Sequence, residues 1–213
     1  MAAIGGHVFR MNGWTIAGAE LRIPWGTSLA AHRMIVVADP RGAAVRQLNG
    51  LASWFDASSG RWRHKPIGYL PTDRLRGYDT LTHPQTFLPM NGVMFGSRQI
   101  EGAIRHGCMR VLADGLSETG AEIVLKPALE AMRRINALSR GAEGGGGLPY
   151  PFMGFGPNSN SFFSTLLRAM AFDEPDFARP AYLTPGARGL LLPETLIAEI
   201  RRAAGPKDLK RAV

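Results

Sequence analysis

The sequence predicts an α+β fold, an antiparallel sheet packed against helices. Three observations carry this. Residues 32–50 read as a β-hairpin, HRMIVVADPRGAAVRQLNG, with a β-rich run, a DPRG turn and a return strand. Apolar residues recur at three and four positions after Pro127 and again after Ser159, the period of an amphipathic helix. Between these regions, past Phe87, the balance shifts from strand-forming to helix-forming segments.

The N-terminal half supplies the strands. HVFRM and AELRI are each expected to be one. In the hairpin, pairing Ala38 with Ala43 sets Val36 against Val45, Met34 against Gln47 and His32 against Asn49. His32 thereby acquires a polar cross-strand neighbour, with Gln47 the second candidate. An amide there can hold one imidazole nitrogen while the other stays free. A rim histidine with no chemical task is the plainer alternative. His7 is a rival without a comparable hairpin context. From Leu51 to Tyr78 further hairpin pieces follow, with Trp54, Phe55 and Trp62 as cross-strand packing. His64 and His83 lie in polar stretches without a second ligand at metal spacing and read as surface residues.

Ser97 is a candidate cap for a helix over Arg98 to about Asp114, although CMRVLAD also reads as a strand. Pro127 suits a first helical position, and Leu129, Met132, Ile135 and Leu138 extend that helix to about Ser139. GAEGGGG, residues 141–147, is a flexible link. A Gly/Pro-rich arm at 173–193 is expected to drape over a site, a last helix starts at Pro193, and a basic tail begins near 205.

With 213 residues, 45% hydrophobic and 20% charged, the chain suits one globular domain spanning 1–213. No apolar run reaches the roughly 18 residues of a membrane span, and MAAIGGHVFR lacks the pattern of a Sec signal. A cytoplasmic start is expected, with any export signal-independent. The lone Cys108 forms no internal disulfide, and His106, two positions away, would not face it on a helix. The formal charge of +8 permits weak attraction to anionic surfaces. No motif points to specific nucleic-acid reading, a phosphate loop, a metal or a cofactor.

The most informative stretch is GPNSNSFFSTLLRAM, residues 156–170. Gly156 and Pro157 precede a helix start that Asn158 or Ser159 can cap. Phe162, Phe163, Leu166, Leu167 and Met170 share one side, and Ser159 lies on it. Ser161, with Ser164, Thr165 and Arg168 near its side, is expected to face solvent. A buried hydroxyl beneath unpaired helix N–H groups sits where developing negative charge is stabilised. Simple capping explains the same residues.

Asn158-Ser159-Asn160-Ser161-Phe162 resembles the Asn-Cys-x-x-Phe motif of circularly permuted papain-like (NlpC-type) proteins, which include the lecithin retinol acyltransferase group and isopeptidases that remove ubiquitin-like modifiers. In that family the cysteine opens a helix as nucleophile and the catalytic histidine lies earlier, on a strand. Ser159 occupies the cysteine position. The resemblance implies hydrolysis or exchange of an amide, peptide or ester bond in a peptide or acyl substrate. Ser159 would attack, His32 would act as base, Asn49 would orient the imidazole, and N–H groups near Asn160 would hold the oxyanion, with Asn158, Asn160 and Gln47 positioning. Two rivals stand beside it: a papain-like binding or scaffold protein without chemistry, and an exported or phage-associated effector acting on wall peptides.

Overall fold

The computed structural model describes residues 11–22, 31–65, 68–81, 103–104, 106–138, 146–177, 186 and 188–205. The expectations for His7, His83, the Ser97 cap, residues 141–145 of the link and the tail from 206 lie outside these residues.

The described chain is α+β. Its strands are β1 (Trp14–Arg22), β2 (Ala31–Ala38), β3 (Ala44–Asp56), β4 (Arg61–Lys65), β5 (Arg74–Asp79), β6 (Met109–Leu116) and β7 (Leu148–Pro149). They form one sheet in the order β6-β1-β2-β3-β5-β7, with β4 also paired to β3, and every pairing is antiparallel. The helices are α1 (Glu118–Ala137), α2 (Ser159–Ala169) and α3 (Glu194–Ala204).

The β2–β3 hairpin turns as its residues predict. Asp39 accepts hydrogen bonds from the N–H groups of Arg41 and Ala43 on one carboxylate oxygen, and Gly42 takes φ +78°, where a side chain is disfavoured. Its register differs from the expected one by two residues: Val37 pairs with Arg46, Val36 with Gln47 and Ile35 with Leu48. Ala38 pairs with Ala44, one residue beyond the expected Ala43, and a bulge between Val37 and Ala38 adds the second residue of slip. Strand side chains alternate, so a two-residue slip keeps every side chain on its expected face, and His32 and Asn49 stay together.

Strand β3 outruns β2. Leu48 pairs with both Ile35 and Asp79, and Ala52 pairs with both Lys65 and Leu75. Strands β2 and β4 therefore occupy the same edge of β3 at different heights, and residues 31–34 of β2 have no β3 partner. That opening receives the start of α2.

Two other expectations change. CMRVLAD is strand, not helix, over its described part: β6 pairs with β1. The helix thought to begin at Pro127 begins nine residues earlier, at Glu118, with Ser117 Oγ accepting from Gly120 N at 3.0 Å. Pro127 lies inside it and removes one i→i−4 bond, a cost of about 3 kcal/mol in an isolated helix. Burial of Val124, Leu125, Ala128, Ala131 and Ile135 on the sheet offsets that cost.

The helices cover one sheet face. Ile16, Ile35, Val37 and Leu48 share a core with Val124, Ile135, Phe162, Phe163, Leu166, Leu167 and Ile200. Met34, Val36, Ala17, Ala19 and Met109 form a second cluster on the opposite face. Helix α2 lies close because glycines lie under its aromatic side chains. A Cβ on Gly50 would stand 2.6 Å from Phe162 Cβ, and one on Gly77 would stand 2.4 Å from Phe162 Cε2. Gly77→Ala should therefore lower stability by about 1–3 kcal/mol, the usual cost of overpacking, read from urea unfolding; an unchanged midpoint would mean that α2 is not seated on the sheet in this way.

Candidate active site

Helix α2 is tied to β2 by one side chain. Asn160 Oδ1 accepts from Arg33 N at 3.1 Å, and Asn160 Nδ2 donates to Ala31 O at 3.1 Å. These are the two main-chain groups flanking His32 on the unpaired edge of β2, so the carboxamide of Asn160 replaces the missing strand. Ser159, one Cα step of about 3.8 Å away, is carried to the same edge. His32 alternates with Arg33 and Ile35, which lie on the helix side, so its ring leaves the sheet on the side of Asn49. Helix start and histidine thus meet the same edge of β2 through its main chain, with the His32 ring on the sheet face opposite the helices.

His32 is buried and its Nε2 lies 2.8 Å from Asn49 Oδ1. The amide orientation follows from its other contacts: Asn49 Nδ2 donates to Thr80 Oγ1 at 2.8 Å and to Gln47 O at 3.3 Å, which leaves Oδ1 for the ring. An acceptor facing Nε2 requires the proton there. Burial lowers the pKa of His32 below its ordinary 6.5, with the Asn49 bond opposing the shift. The resting ring is neutral, protonated at Nε2, with its lone pair on Nδ1. Thr80 Oγ1 also donates to Gln47 O at 3.3 Å, which closes the polar group.

The helix start satisfies its own donors. Asn158 Oδ1 accepts from Asn160 N at 2.8 Å, Asn158 Nδ2 donates to Gly154 O at 2.6 Å, and Ser161 completes a capping box with Asn158. The N–H of Asn160, expected to serve an oxyanion, is therefore occupied by the cap. Ser159 is 9% exposed, against 2–4% for Asn158, Asn160 and Ser161, and is the most open polar side chain of the first turn. Burial pushes the pKa of the nearby Tyr150 phenol up to about 12, with Ser159 opposing the shift. Among the described residues no hydrogen bond joins Ser159 to His32.

Two expectations about exposure are corrected. Ser161 does not face solvent: its Oγ donates to Gly186 O at 2.8 Å. Ser164 and Thr165 are likewise buried, accepting from Arg188 N at 3.0 Å and Leu191 N at 2.9 Å. The polar flank of α2 is the seat of the arm, which satisfies its backbone on these hydroxyls. Glu174, at the start of the arm, pairs with Arg33 at 3.2 Å, and Arg33 also pairs with Glu20 at 3.0 Å. His64 is also buried, because the β3–β4 pairing sets it opposite Ser53, with its ring 4.4 Å from that of Tyr78. Gln47, expected opposite Met34, pairs with Val36 and contributes its carbonyl to Asn49. Thr80 and Tyr150 were not anticipated.

Among the described residues no group of three or more His, Cys, Asp or Glu side chains is placed to hold a metal ion, and no helix is long and apolar enough to cross a membrane. A cavity of about 480 Å³ between α1 and α3, lined by Leu129, Arg133, Ile200 and Ala204 among others, holds neither Ser159 nor His32. No family model, curated protein or solved structure matches the chain.

The depressed pKa of His32 has a sign that can be measured. The unfolded ring, with a pKa near 6.5, takes up a proton before the folded one does, so folding stability falls as pH drops below about 6.5 and levels off beneath the folded pKa. In His32→Gln this contribution to the acid loss should vanish, as read from urea unfolding between pH 7 and 5; an identical pH slope in both proteins would contradict the buried neutral ring.

Proposed function

We propose that the corner where α2 meets β2 performs acyl transfer, the hydrolysis or exchange of an amide or ester bond, with Ser159 as nucleophile and His32 as general base. The observation that carries this reading is the Asn49–His32 contact. A buried amide, oriented by Thr80 and Gln47, holds the imidazole in the one neutral tautomer that leaves Nδ1 able to take a proton. A histidine that merely filled space would not need that alignment.

A serine hydroxyl is almost wholly protonated near neutral pH and depends on such a base. Attack on a carbonyl would pass the Ser159 proton to Nδ1, and Asn49 Oδ1 would stabilise the resulting imidazolium through the Nε2–H bond. His32 would then return a proton to the leaving group. The resemblance of Asn158–Phe162 to the permuted papain-like motif supports the same roles in the same chain order, histidine first and nucleophile last. Exposed Phe152 and Phe155, on the loop leading into α2, offer apolar surface on the approach to Ser159.

A second reading, a binding protein without chemistry, is favoured by one observation: among the described residues no hydrogen bond joins the Ser159 hydroxyl to the His32 ring, which is held by Asn49. Covalent labelling separates the two. A fluorophosphonate probe should modify Ser159, mapped by peptide mass spectrometry, and Ser159→Ala should lose that adduct. His32→Ala should slow labelling by about 10²–10⁴-fold, the usual contribution of a general base, while retaining the native circular dichroism spectrum. A wild-type protein that never forms the adduct would instead favour the binding reading. The labelling rate should also fall on the acid side with a midpoint below 6.5, where Nδ1 becomes protonated.

A further inference from the structure

We propose that the exposed apolar side chains of Tyr69, Leu70, Phe152 and Phe155, with the basic residues around them, form a docking surface for an anionic lipid membrane. The inference goes beyond the acyl-transfer reading and stands whether or not Ser159 reacts.

The apolar exposure is concentrated. Seven large apolar side chains stand exposed among the described residues, and four of them come from two neighbouring loops: Tyr69 at 53%, Leu70 at 46%, Phe152 at 71% and Phe155 at 72%. Phe152–Gly154 is a single 3₁₀ turn, and Phe155 N donates to Phe152 O at 3.2 Å. Positions i and i+3 eclipse in such a turn, so the two phenyl rings leave it on the same side. The two loops are joined to each other. Tyr150 N donates to Asp73 O at 2.9 Å, and Gly68 lies so close to the Tyr150 ring that a Cβ there would overlap it.

These loops belong to the end of the sheet that carries the candidate site. Strands β2 and β5 both pair antiparallel with β3 and so begin at the same end, and the Tyr69–Asp73 loop runs directly into β5. Asn158 Nδ2 donates to Gly154 O at 2.6 Å, which ties the phenylalanine turn to the start of α2.

Two properties select a lipid surface over a protein partner. The first is the state of the backbone, because a main-chain donor that enters an apolar phase unpaired is costly. Tyr69 N and Leu70 N both donate to Asp73 Oδ2, at 2.8 and 2.9 Å, and Gly154 N donates to Pro151 O at 3.0 Å. Pro149, Pro151 and Pro157 have no N–H to satisfy. With Phe155 N also taken, the tips can leave water with these groups already paired.

The second is charge. Residues 144–167 hold no charged side chain, so no ionic group on the phenylalanine loop resists entry. Residues 56–76 hold five basic side chains, Arg61, Arg63, Lys65, Arg74 and Arg76, against two acids, Asp56 and Asp73. Asp73 is buried with Lys65 Nζ at 2.5 Å, and Asp56 accepts from Arg63 at 3.2 Å, so the excess on this flank is positive. Arg74 stands on the Tyr69 loop itself, its Nη1 donating to Pro71 O and Asp73 O at 3.0 Å each. Apolar tips flanked by cations are the pattern of an interfacial anchor: the rings enter the boundary between headgroups and acyl chains while the cations meet anionic headgroups.

The test is co-sedimentation of the full chain with sucrose-loaded vesicles of phosphatidylcholine, alone or with about 30% phosphatidylserine. The wild-type chain should partition onto the anionic vesicles at least about 10-fold more strongly than onto the neutral ones, and about 0.5 M salt should abolish that preference. Phe152→Ser combined with Phe155→Ser should weaken anionic binding by about 10²-fold, the native circular dichroism spectrum being retained because rings so exposed add little to the core. Val111→Ser, at a side chain 44% exposed on the far edge strand β6, should bind as wild type does. The proposal is overturned if wild type does not pellet with anionic vesicles, pellets equally with neutral ones, or binds no better than the phenylalanine variant. Equal losses in Val111→Ser and the phenylalanine variant would overturn it too. A wild-type chain that ignores vesicles but self-associates in sedimentation velocity, with the association lost in the phenylalanine variant, would assign the patch to a second copy of this chain instead.

Discussion

The arrangement depends on a carboxamide that stands in for a strand. Where β2 parts from β3, two main-chain groups on either side of His32 would face a buried edge without partners, each at a cost of about 1–3 kcal/mol. Asn160 satisfies both. The same pair of bonds fixes how far α2 reaches along the sheet, and so where Ser159 lies. Phe162 and Phe163, both fully buried, supply the apolar contribution, at about 1.5–3 kcal/mol for each side chain. The glycines of the sheet let them settle close enough for Asn160 to reach the edge.

Around that joint the polar groups divide into two sets. On the sheet side, Gln47, Thr80 and Asn49 orient one imidazole and are buried with it. On the helix side, Asn158, Ser161, Ser164 and Thr165 cap the helix and anchor the arm. Ser159 belongs to neither set. Among the described residues its hydroxyl holds neither the imidazole nor the arm, and a hydroxyl with so few structural obligations can be lent to chemistry at little cost in stability. Arg33, between Glu20 and Glu174 and 5.2 Å from the Phe177 ring, fastens the start of the arm to the strand that carries His32.

Much of this was legible in the sequence, for identifiable reasons. The hairpin announced itself through β-rich runs and an Asp-Pro-Arg-Gly turn, and side-chain alternation kept His32 and Asn49 on one face even though the turn and the bulge at Val37 together shifted the register. The helix at Ser159 was legible from its caps and apolar spacing. Tertiary effects hid the rest. Pro127 reads as a helix start, yet packing on the sheet keeps it inside a longer helix. Ser161 reads as a solvent-facing residue because helical periodicity knows nothing of an arm that returns about 25 residues later to cover it. Thr80 lies 31 residues from Asn49 and carries no local signal. Tyr150 had a faint one, an aromatic held between two prolines nine positions before the nucleophile.

The central claim is that Asn49 holds His32 as a neutral base whose free nitrogen serves Ser159. It is tested most directly by the ¹⁵N chemical shifts of the His32 ring near pH 7, in the wild-type chain and in Ser159→Ala. The account predicts a protonated Nε2, a lone pair on Nδ1, and a change in the Nδ1 shift when the hydroxyl is removed. A proton on Nδ1, or a ring whose shifts ignore the loss of Ser159, would contradict it.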